Sequence, residues 1–316
     1  MVSLKKKKIK GKQYLYAEHS FRLPDNSIKK ISKLVKSPAE ANSFATKNYF
    51  LSKEKEAYKN YALGKYAVDR IFTRELLCSI EDIRVEFKYL KNKLSKKQLE
   101  DVIDRFAVNF TYESNAIEGN SLTLKDVTII IKENVVPKGK NLREVYETKN
   151  TRDANQLLFD NKIKLTRDSI IKLHSVLVND TGVSTGYKKL PNFLLMRNVQ
   201  TTPPENVEVE MDTLLKWFSD NKDKIHPLRL AADFHASFER IHPFEDGNGR
   251  IGRVLLNAIL VEQGLPPLIV RKTMRMAYFS SLEAFDKGYK DKFEMFVIDK
   301  FKRTFNNFFG IYVKYL

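Results

Sequence analysis

The sequence predicts a mainly α-helical protein that opens with a small β-hairpin. In residues 12–35, apolar and polar residues alternate on both sides of the turn sequence PDNS, which is typical of a hairpin. From about Pro38 onwards, apolar residues recur at intervals of three and four, which is the spacing of one helix face. With 42% hydrophobic residues, the 316-residue chain can also bury a large core.

Amphipathic segments follow one another through the helical part of the chain. Ser95 is typical of an N-cap, and the apolar residues after it keep helical spacing through Phe110. The aromatic residues of the last segment favour a place in the core or at a homodimer interface. Helices are predicted over residues 95–113 and near residues 123–134, 141–160, 166–180, 210–222, 227–240, 248–263, 273–287 and 290–312.

Residues 186–208, GYKKLPNFLLMRNVQTTPPENVE, interrupt the helical pattern. Phe193 to Met196 form a short apolar run of strand character, and the Pro203-Pro204 pair excludes a helix. We interpret this segment as a candidate β-flap that binds an extended peptide by edge-strand pairing. A loop that merely covers a neighbouring surface is the alternative.

The chain is strongly basic, with 56 Lys and Arg residues against 39 Asp and Glu residues and a net charge of +17. Such a balance is compatible with nucleic acid, an anionic surface or a phosphorylated ligand as partner. The lysines are spread along the sequence, which favours a solvated surface over a nucleic-acid groove. The basic N-terminal segment, where lysines interleave with Tyr14 and Tyr16, leaves the same two interpretations open.

A single cysteine, Cys78, excludes an intramolecular disulfide and a cysteine-built metal site, which fits a reducing compartment. The basic start of the chain is not followed by the apolar segment of a signal peptide, and no apolar run reaches membrane-spanning length. We therefore expect a cytoplasmic protein without a membrane partner.

Residues 240–253, RIHPFEDGNGRIGR, combine a glycine-rich turn with charged side chains. Gly247-Asn248-Gly249 can adopt positive φ, so that successive N–H groups face one concavity at the start of a helix. Such a turn binds anions. Arg250 and Arg253 follow one helical turn apart, where two guanidinium groups can contact neighbouring phosphates of a polyphosphate.

Two further side chains complete the pattern. Asp246 supplies a hard oxygen ligand of the kind that Mg²⁺ prefers. His242 is placed to take a proton from an attacking hydroxyl near neutral pH. A glycine cap between two helices would explain the glycines but not the charged residues. The whole stretch therefore indicates a metal-bound nucleotide beside a general base.

The same stretch resembles the signature of the Fic (Fido) family of protein adenylyltransferases at each of its defining positions. The resemblance extends over roughly residues 165–304 and implies a helical Fic core with a β-hairpin flap. It also implies transfer of AMP from ATP to a Ser, Thr or Tyr hydroxyl of a protein target, with Mg²⁺ as cofactor. The implied roles are base for His242, Mg²⁺ ligand for Asp246, phosphate binding for the amides of Gly247, Asn248 and Gly249, and charge neutralisation for Arg250 and Arg253.

An earlier stretch, SNAIEGN, resembles the inhibitory motif of the same family. Its matching positions are Ser114, Glu118, Gly119 and Asn120. The resemblance implies that Glu118 forms an ion pair with Arg253 and withholds that guanidinium from the γ-phosphate of ATP. From the residues alone, a turn role for Ser114 and a solvated helix-end charge at Glu118 stay open.

The flap departs from the family pattern, because lysines follow Tyr187 and Arg197 stands where a glycine is usual. An arginine at that position favours an acidic target. Within the resemblance, the flap positions that dock a target segment are Leu194, Leu195 and Met196.

Two other histidines lie among apolar neighbours. We interpret His174 and His235 as packed, hydrogen-bonded residues and not as ligands of a zinc site. On these grounds the chain is divided into a basic hairpin and helical region (1–94), a helical region with the inhibitory motif (95–164), a Fic catalytic domain (165–304) and the end of the last helix (305–316).

Two alternative functions stay open at this stage. One is a basic nucleic-acid-binding regulator that senses a nucleotide without transferring it. The other is a Fic enzyme that mainly removes AMP, with Glu118 activating water, or that transfers another nucleotide.

Overall fold

The computed structural model describes residues 2–194 and 199–316, and it is mainly α-helical. By internal contacts the chain separates into two compact units, Met1–Tyr89 and Leu90–Leu316. The first unit contains strands β1 (Val2–Ile9), β2 (Lys12–Arg22) and β3 (Ile28–Val35), helices α1 (Pro38–Ala41) and α2 (Phe44–Lys65), and most of helix α3 (Arg74–Lys93).

The N-terminal β element is a three-stranded antiparallel sheet in the order β1-β2-β3, and not only a hairpin. The predicted hairpin is the β2–β3 pair, whereas β1 was missed because a run of lysines carries little strand signal. These lysines lie on an edge strand, where they discourage pairing with other chains. Lys30 and Lys7 also contact the buried Glu18 carboxylate. Their hydrogen bonds, of which that from Lys30 has the larger effect, lower the pKa of Glu18 to about 2.

The second unit is built from helices. Each helix predicted between residues 123 and 287 is present, with ends that differ by at most three residues. The bounds are α4 (Lys96–Ile117), α5 (Leu124–Glu133), α6 (Leu142–Phe159), α7 (Arg167–Leu177), α8 (Val207–Asn221), α9 (Pro227–Ile241), α10 (Asn248–Glu262), α11 (Arg275–Asp286), α12 (Lys290–Thr304) and α13 (Gly310–Val313).

The helix predicted over residues 290–312 is not continuous. Helix α12 ends at Thr304, and a π-helical turn over Phe305–Phe309 joins it to α13. The wider turn buries both Phe305 and Phe309, and Phe309 stacks on Phe106 of α4 with ring centroids 5.6 Å apart. The spacing of apolar residues in the sequence did not reveal this change of helix type, because aromatic residues continue along the same face through the π-helical turn.

Helices α9 and α10 form the centre of the second unit. They pack against each other, and α4, α6 and α7 contact α10. Nearly all residues of α10 are buried, including the charged Arg250 and Arg253. The connection between α9 and α10 therefore lies where several helices converge. Within the described part of the chain, no helix has both the length and the apolarity needed to cross a membrane.

Candidate active site

The signature loop begins at the end of α9. His242 adopts a left-handed conformation with φ of 51°, and its backbone N–H donates to the Phe238 carbonyl at 2.9 Å. Its side-chain Nδ1 lies 3.4 Å from the Glu239 carbonyl oxygen. Because a carbonyl can only accept, this contact favours the tautomer with the proton on Nδ1 and the lone pair on Nε2. A lone pair on Nε2 is what a general base requires.

The loop is held closed by Asn248. Its Oδ1 accepts from the Phe244 N–H at 2.9 Å, and its Nδ2 donates to the Phe244 carbonyl at 2.8 Å. Gly247 precedes it with φ of 84°, and a Cβ there would lie only 3.0 Å from Leu177 Cδ2. Both positive φ and close packing thus require glycine. The Asn248 side chain orders the loop, whereas its backbone amide belongs to the predicted anion-binding turn.

His174 of α7 supports the loop from beneath. Its ring stacks on Phe244 with centroids 3.9 Å apart. Nδ1 accepts from the Gly186 N–H at 3.3 Å, which leaves the proton on Nε2 to donate to the Asp246 carbonyl at 3.2 Å. Burial lowers the pKa of His174 to about 4, so the ring is neutral at pH 7. The interpretation of His174 as a packed, hydrogen-bonded residue is confirmed.

The Asp246 carboxylate lies between two arginines. Oδ1 is 3.2 Å from Arg250 Nη2 and accepts from the Gly247 N–H at 2.5 Å, while Oδ2 is 2.6 Å from Arg143 Nη2. Burial raises the pKa of Asp246, but Arg250, the Gly247 N–H and Arg143 together lower it below its usual value. Asp246 is therefore ionised at neutral pH, as a metal ligand must be.

Arg253 is buried and contacts the earlier motif. Its Nη2 lies 2.6 Å from Glu118 Oε1 and donates to the Ser114 carbonyl at 2.9 Å, while Nε donates to the Ser114 hydroxyl at 3.0 Å. Although burial would lower the pKa of Arg253, the adjacent Glu118 raises it, so the guanidinium keeps its charge. The structure thus contains the ion pair that the resemblance implies.

The Glu118 carboxylate also reaches the start of α10. A Cβ on Gly249 would lie 2.1 Å from Glu118 Oε1 and 3.0 Å from Arg253 Nη1. The carboxylate therefore touches the first turn of a helix whose N-cap, Gly247, provides no capping side chain. Within the described residues, the buried atoms Arg253 Nη1 and Arg250 Nε have no hydrogen-bond partner. An anion placed here would find unused donors and the positive end of a helix dipole.

Comparison with known proteins agrees with this geometry. Residues 164–260 match the model of the Fic/DOC family. These residues are therefore similar to a Fic domain. The protein adenylyltransferase Fic of Nematostella vectensis is 34% identical over 61% of this chain and 46% of its own length. The protein adenylyltransferase fic-1 of Caenorhabditis elegans is 29% identical over 75% of this chain and 47% of its own length.

Two solved structures have similar folds. A Fic-domain-containing signaling protein from Bacteroides thetaiotaomicron has 26% identity and a TM-score of 0.66, and the match covers 74% of this chain and 95% of that one. The Fic-1 structure from C. elegans has 26% identity and a TM-score of 0.65, over 75% of this chain and 71% of that one. The predicted mainly α-helical Fic fold is confirmed. The chain spans about half the length of the curated relatives it matches.

The segment that carries Glu118 is joined to the signature loop through helix α6. Asn120 Nδ2 donates to Glu147 Oε2 at 3.1 Å, and the other Glu147 oxygen lies 3.4 Å from both Arg250 Nη1 and Arg143 Nε. The Ser121 hydroxyl donates to Glu144 Oε2 at 2.9 Å. One helix therefore contacts both the segment that carries Glu118 and the signature loop.

Gly119 follows the C-cap residue of α4 with φ of 103°, and a Cβ there would meet no atom within 4 Å. Its role is therefore conformational, since the left-handed backbone favours glycine. The carbonyl of Ile117, two residues earlier, accepts from Arg275 Nε at 2.6 Å. The end of α4 is thus fixed beside the signature loop and the start of α10 by several polar contacts.

The candidate flap is described only in part. Tyr187 pairs with Phe244, and Phe193 pairs with Gln200, each as an isolated antiparallel bridge. The Lys188 N–H donates to the Pro243 carbonyl at 2.9 Å, which joins the start of the segment to the signature loop. Leu194 is half-buried. Leu195 and Met196, which the sequence also suggests for target docking, lie outside the described residues.

The second packed histidine lies beneath α10. His235 Nε2 is 2.7 Å from the Tyr278 hydroxyl, and its ring stacks on Phe293. A Cβ on Gly252 would lie 3.0 Å from the His235 ring and 2.8 Å from Glu239 Oε1. His235 is a buried hydrogen-bonded residue, as interpreted. Within the ranges 2–194 and 199–316, no cluster of three or more acidic, His or Cys residues could hold a metal ion.

Sequence reasoning missed Arg143 and Glu147. Both lie on α6, about one hundred residues before the signature, and their spacing of four indicates only a solvated ion pair on one helix. Their proximity to Asp246 and Arg250 arises from the packing of α6 on α10. Without an observed helix arrangement, no pattern in the sequence distinguishes them from other surface charges.

Proposed function

We propose that this protein is an autoinhibited protein adenylyltransferase, which transfers AMP from ATP to a Ser, Thr or Tyr hydroxyl of a protein target or of itself. The names of its relatives support the reaction class. The observation that carries the proposal is the convergence of one histidine, one ionised carboxylate, two buried arginines and an uncapped helix N-terminus within one loop.

The phosphates of ATP bind at the start of α10. The amides of Gly247, Asn248 and Gly249 and the unused nitrogens of Arg250 and Arg253 supply donors there. A polyphosphate gains from such fixed donors because they are already oriented when negative charge moves to the leaving group. Binding and charge stabilisation thus come from the same residues.

His242 acts as the base. The hydroxyl oxygen of the target attacks the α-phosphorus of ATP, the bond from that phosphorus to the β-phosphate oxygen breaks, and pyrophosphate leaves. The hydroxyl proton passes to His242 Nε2, whose lone pair follows from the Nδ1 contact with the Glu239 carbonyl. Because attack and proton loss occur at the substrate hydroxyl, His242 is needed for transfer and not for ATP binding.

Asp246 is the residue that would hold Mg²⁺. A site with one ionised carboxylate fits Mg²⁺, which takes most of its other ligands from phosphates and water. When bound, the ion would offset charge on the phosphates.

The four-part division of the chain and the cytoplasmic location remain predictions.

Glu118 keeps this site inactive. Its carboxylate pairs with Arg253 and lies against Gly249, which is the space that a terminal phosphate needs. ATP can then bind only in an arrangement that leaves Arg253 unavailable. The Glu118 carboxylate and the γ-phosphate cannot both occupy this space. The γ-phosphate can therefore be positioned only when Glu118 is displaced.

The direct test is transfer from ATP labelled at the α-phosphate, using the Glu118→Gly variant to remove inhibition. We expect covalent label on the protein itself or on a protein in a cell lysate. Glu118→Gly combined with His242→Ala should bind ATP but leave no label. Glu118→Gly combined with His19→Ala is the control, because His19 pairs with Glu54 in the other unit. Equal labelling with and without His242 would refute the mechanism, and absence of any label would refute the transferase.

A further inference from the structure

Two guanidinium groups contact the Asp246 carboxylate. Arg250 lies against Oδ1 and Arg143 against Oδ2, and both arginines also lie near Glu147. Arg250 is buried beside the loop and belongs to the signature. Arg143 comes from the first turn of α6, and its side chain is 52% exposed.

Arg143 is held in this position by its own helix. Glu147, four residues later on α6, lies 3.4 Å from Arg143 Nε and is mostly buried. The guanidinium thus extends between Glu147 and Asp246, with Nε toward the first and Nη2 toward the second. A planar guanidinium with two acidic partners in fixed directions is well oriented.

We infer that Arg143 is a resident counter-ion of Asp246 that competes with Mg²⁺ for the carboxylate. The inference rests on the nucleotide site proposed above. Asp246 Oδ1 already accepts from the Gly247 N–H and from Arg250, so Oδ2 is the oxygen that a metal ion would take. That oxygen is the one that Arg143 contacts at 2.6 Å.

The competition sets how much magnesium the site needs. A guanidinium and a divalent cation cannot occupy the same side of one carboxylate, and their like charges repel at short distance. Mg²⁺ bound with a nucleotide must therefore displace Arg143 from Oδ2. Arg143 acts through Asp246 and is a positioning residue, since it has no assigned contact with the reacting atoms.

The experiment measures ADP binding by isothermal titration calorimetry over a series of MgCl₂ concentrations at constant ionic strength. All proteins carry Glu118→Gly, so that the Glu118 carboxylate beside the start of α10 does not repel the nucleotide phosphates. We expect Arg143→Gln to lower the half-saturating magnesium concentration by roughly two- to fivefold, the range for a half-exposed ion pair. Binding of ADP in EDTA should be unchanged or weaker, because a cation has been removed. Arg143→Lys, which keeps the charge, should stay near the parent.

Arg152→Gln is the matched control. Arg152 lies on the same helix with similar exposure, pairs with the neighbouring Asp153 and makes no described contact with Asp246. Its removal changes the net charge equally and should not move the magnesium midpoint. An equal shift in both variants would overturn the inference in favour of a general charge effect.

The remaining outcomes are also decisive. An unchanged magnesium midpoint in Arg143→Gln would overturn the inference. Weaker binding of ADP both with Mg²⁺ and in EDTA would also overturn it, because that result indicates a structural or phosphate-binding role for Arg143. Failure of the proposed function looks different: the Glu118→Gly parent itself would bind no ADP or show no magnesium dependence. A parent that transfers AMP while Arg143→Gln leaves the midpoint unchanged would refute the inference alone.

Discussion

At Gly249, a carboxylate, a guanidinium and the first turn of α10 meet without room for a side chain. A Cβ at this position would lie 2.1 Å from Glu118 Oε1, far inside a normal contact, and 3.0 Å from Arg253 Nη1. The glycine is helical, so its backbone angles alone would permit alanine. The need for glycine therefore depends on whether Glu118 occupies the site.

We expect Gly249→Ala to be destabilising only while Glu118 is present. In the wild-type protein, the clash of the new Cβ with Glu118 should lower the free energy of unfolding by about 1–3 kcal/mol, as overpacking does. With Glu118→Gly, most of that cost should vanish, because alanine is favoured over glycine in a helix by ~1 kcal/mol and only Arg253 Nη1 must adjust. Urea unfolding of the four proteins measures this coupling.

Gly64 provides the control for this cycle. It lies in α2, where a Cβ would meet no atom within 4 Å. Gly64→Ala should change stability equally with and without Glu118. If Gly249→Ala is as additive as Gly64→Ala, the close approach of Glu118 to α10 is not present in solution.

His174 should make stability depend on pH. Burial lowers its folded-state pKa to about 4 from an ordinary value of 6.5, so between these values the unfolded chain binds more protons than the folded one. Stability present above pH 6.5 is therefore lost as the pH falls toward 4, by about 3 kcal/mol. Asp233 acts in the opposite direction, because burial raises its pKa to about 6.

The measurement is urea unfolding of the parent and of His174→Gln between pH 7 and pH 4. Glutamine can donate to the Asp246 carbonyl but does not titrate. The stability advantage of the parent over His174→Gln should shrink as the pH falls, while the contribution of Asp233 cancels in the difference. A constant difference across this range would show that His174 is protonated as easily in the folded protein as in the unfolded chain.

At the residue scale, the sequence predicts site residues well when they lie close together along the chain, and poorly when they lie far apart. The roles of residues 242–253 could be assigned together, because these twelve consecutive residues form one loop and the start of the helix that follows it. Glu118 needed the resemblance, since only an independent motif connects it to Arg253. Arg143 could not be found, because its contact with Asp246 spans 103 residues and arises from helix packing alone.

At the scale of elements, α4 shows how a helix positions Glu118, the residue proposed to inhibit the site. Its start is fixed by a capping box between Ser95 and Gln98, which the sequence predicted in part through Ser95. Its other end carries Glu118 to Arg253. In the middle, Phe106 packs against the π-helical turn, which the sequence did not predict because both helix types present similar aromatic faces.

We expect the π-helical turn to contribute much of the packing around α4. Phe309 is fully buried and stacks on Phe106, whereas Phe308 contacts the same ring from a half-buried position. Phe309→Ala should therefore reduce the free energy of unfolding by about 3–5 kcal/mol, and Phe308→Ala by clearly less. Chemical denaturation of both variants tests the ranking. Equal losses would mean that the π-helical turn does not place Phe309 in the core.

At the scale of the whole molecule, the proposed mechanism implies that stability and activity make opposite demands on the Glu118–Arg253 ion pair. Arg253 is buried and charged, so Glu118 neutralises a cation that the folded protein could otherwise only expose to a ligand. In the proposed mechanism, the state with Glu118 paired to Arg253 is the inhibited and more stable one. ATP would replace Glu118 as the anion, which would link substrate binding to the loss of inhibition.

The last prediction compares the parent with Glu118→Gly in both respects. Removing the carboxylate leaves a buried guanidinium uncompensated, so we expect a loss of about 1–3 kcal/mol in unfolding free energy, below the cost at a fully buried pair because the Glu118 side chain is 34% exposed. AMP transfer should nevertheless rise by a factor of ~10 or more, since 1.4 kcal/mol of shifted equilibrium already gives tenfold. Thermal unfolding with MgATP should show a larger gain for the variant than for the parent, because the γ-phosphate takes the place of Glu118. Glu118→Gln, which keeps the size of the side chain without its charge, should give the same direction in all three measurements. The deciding comparison adds Arg253→Ala: transfer must be lost in the double variant, and transfer that persists without Arg253 would show that Glu118 restrains something else.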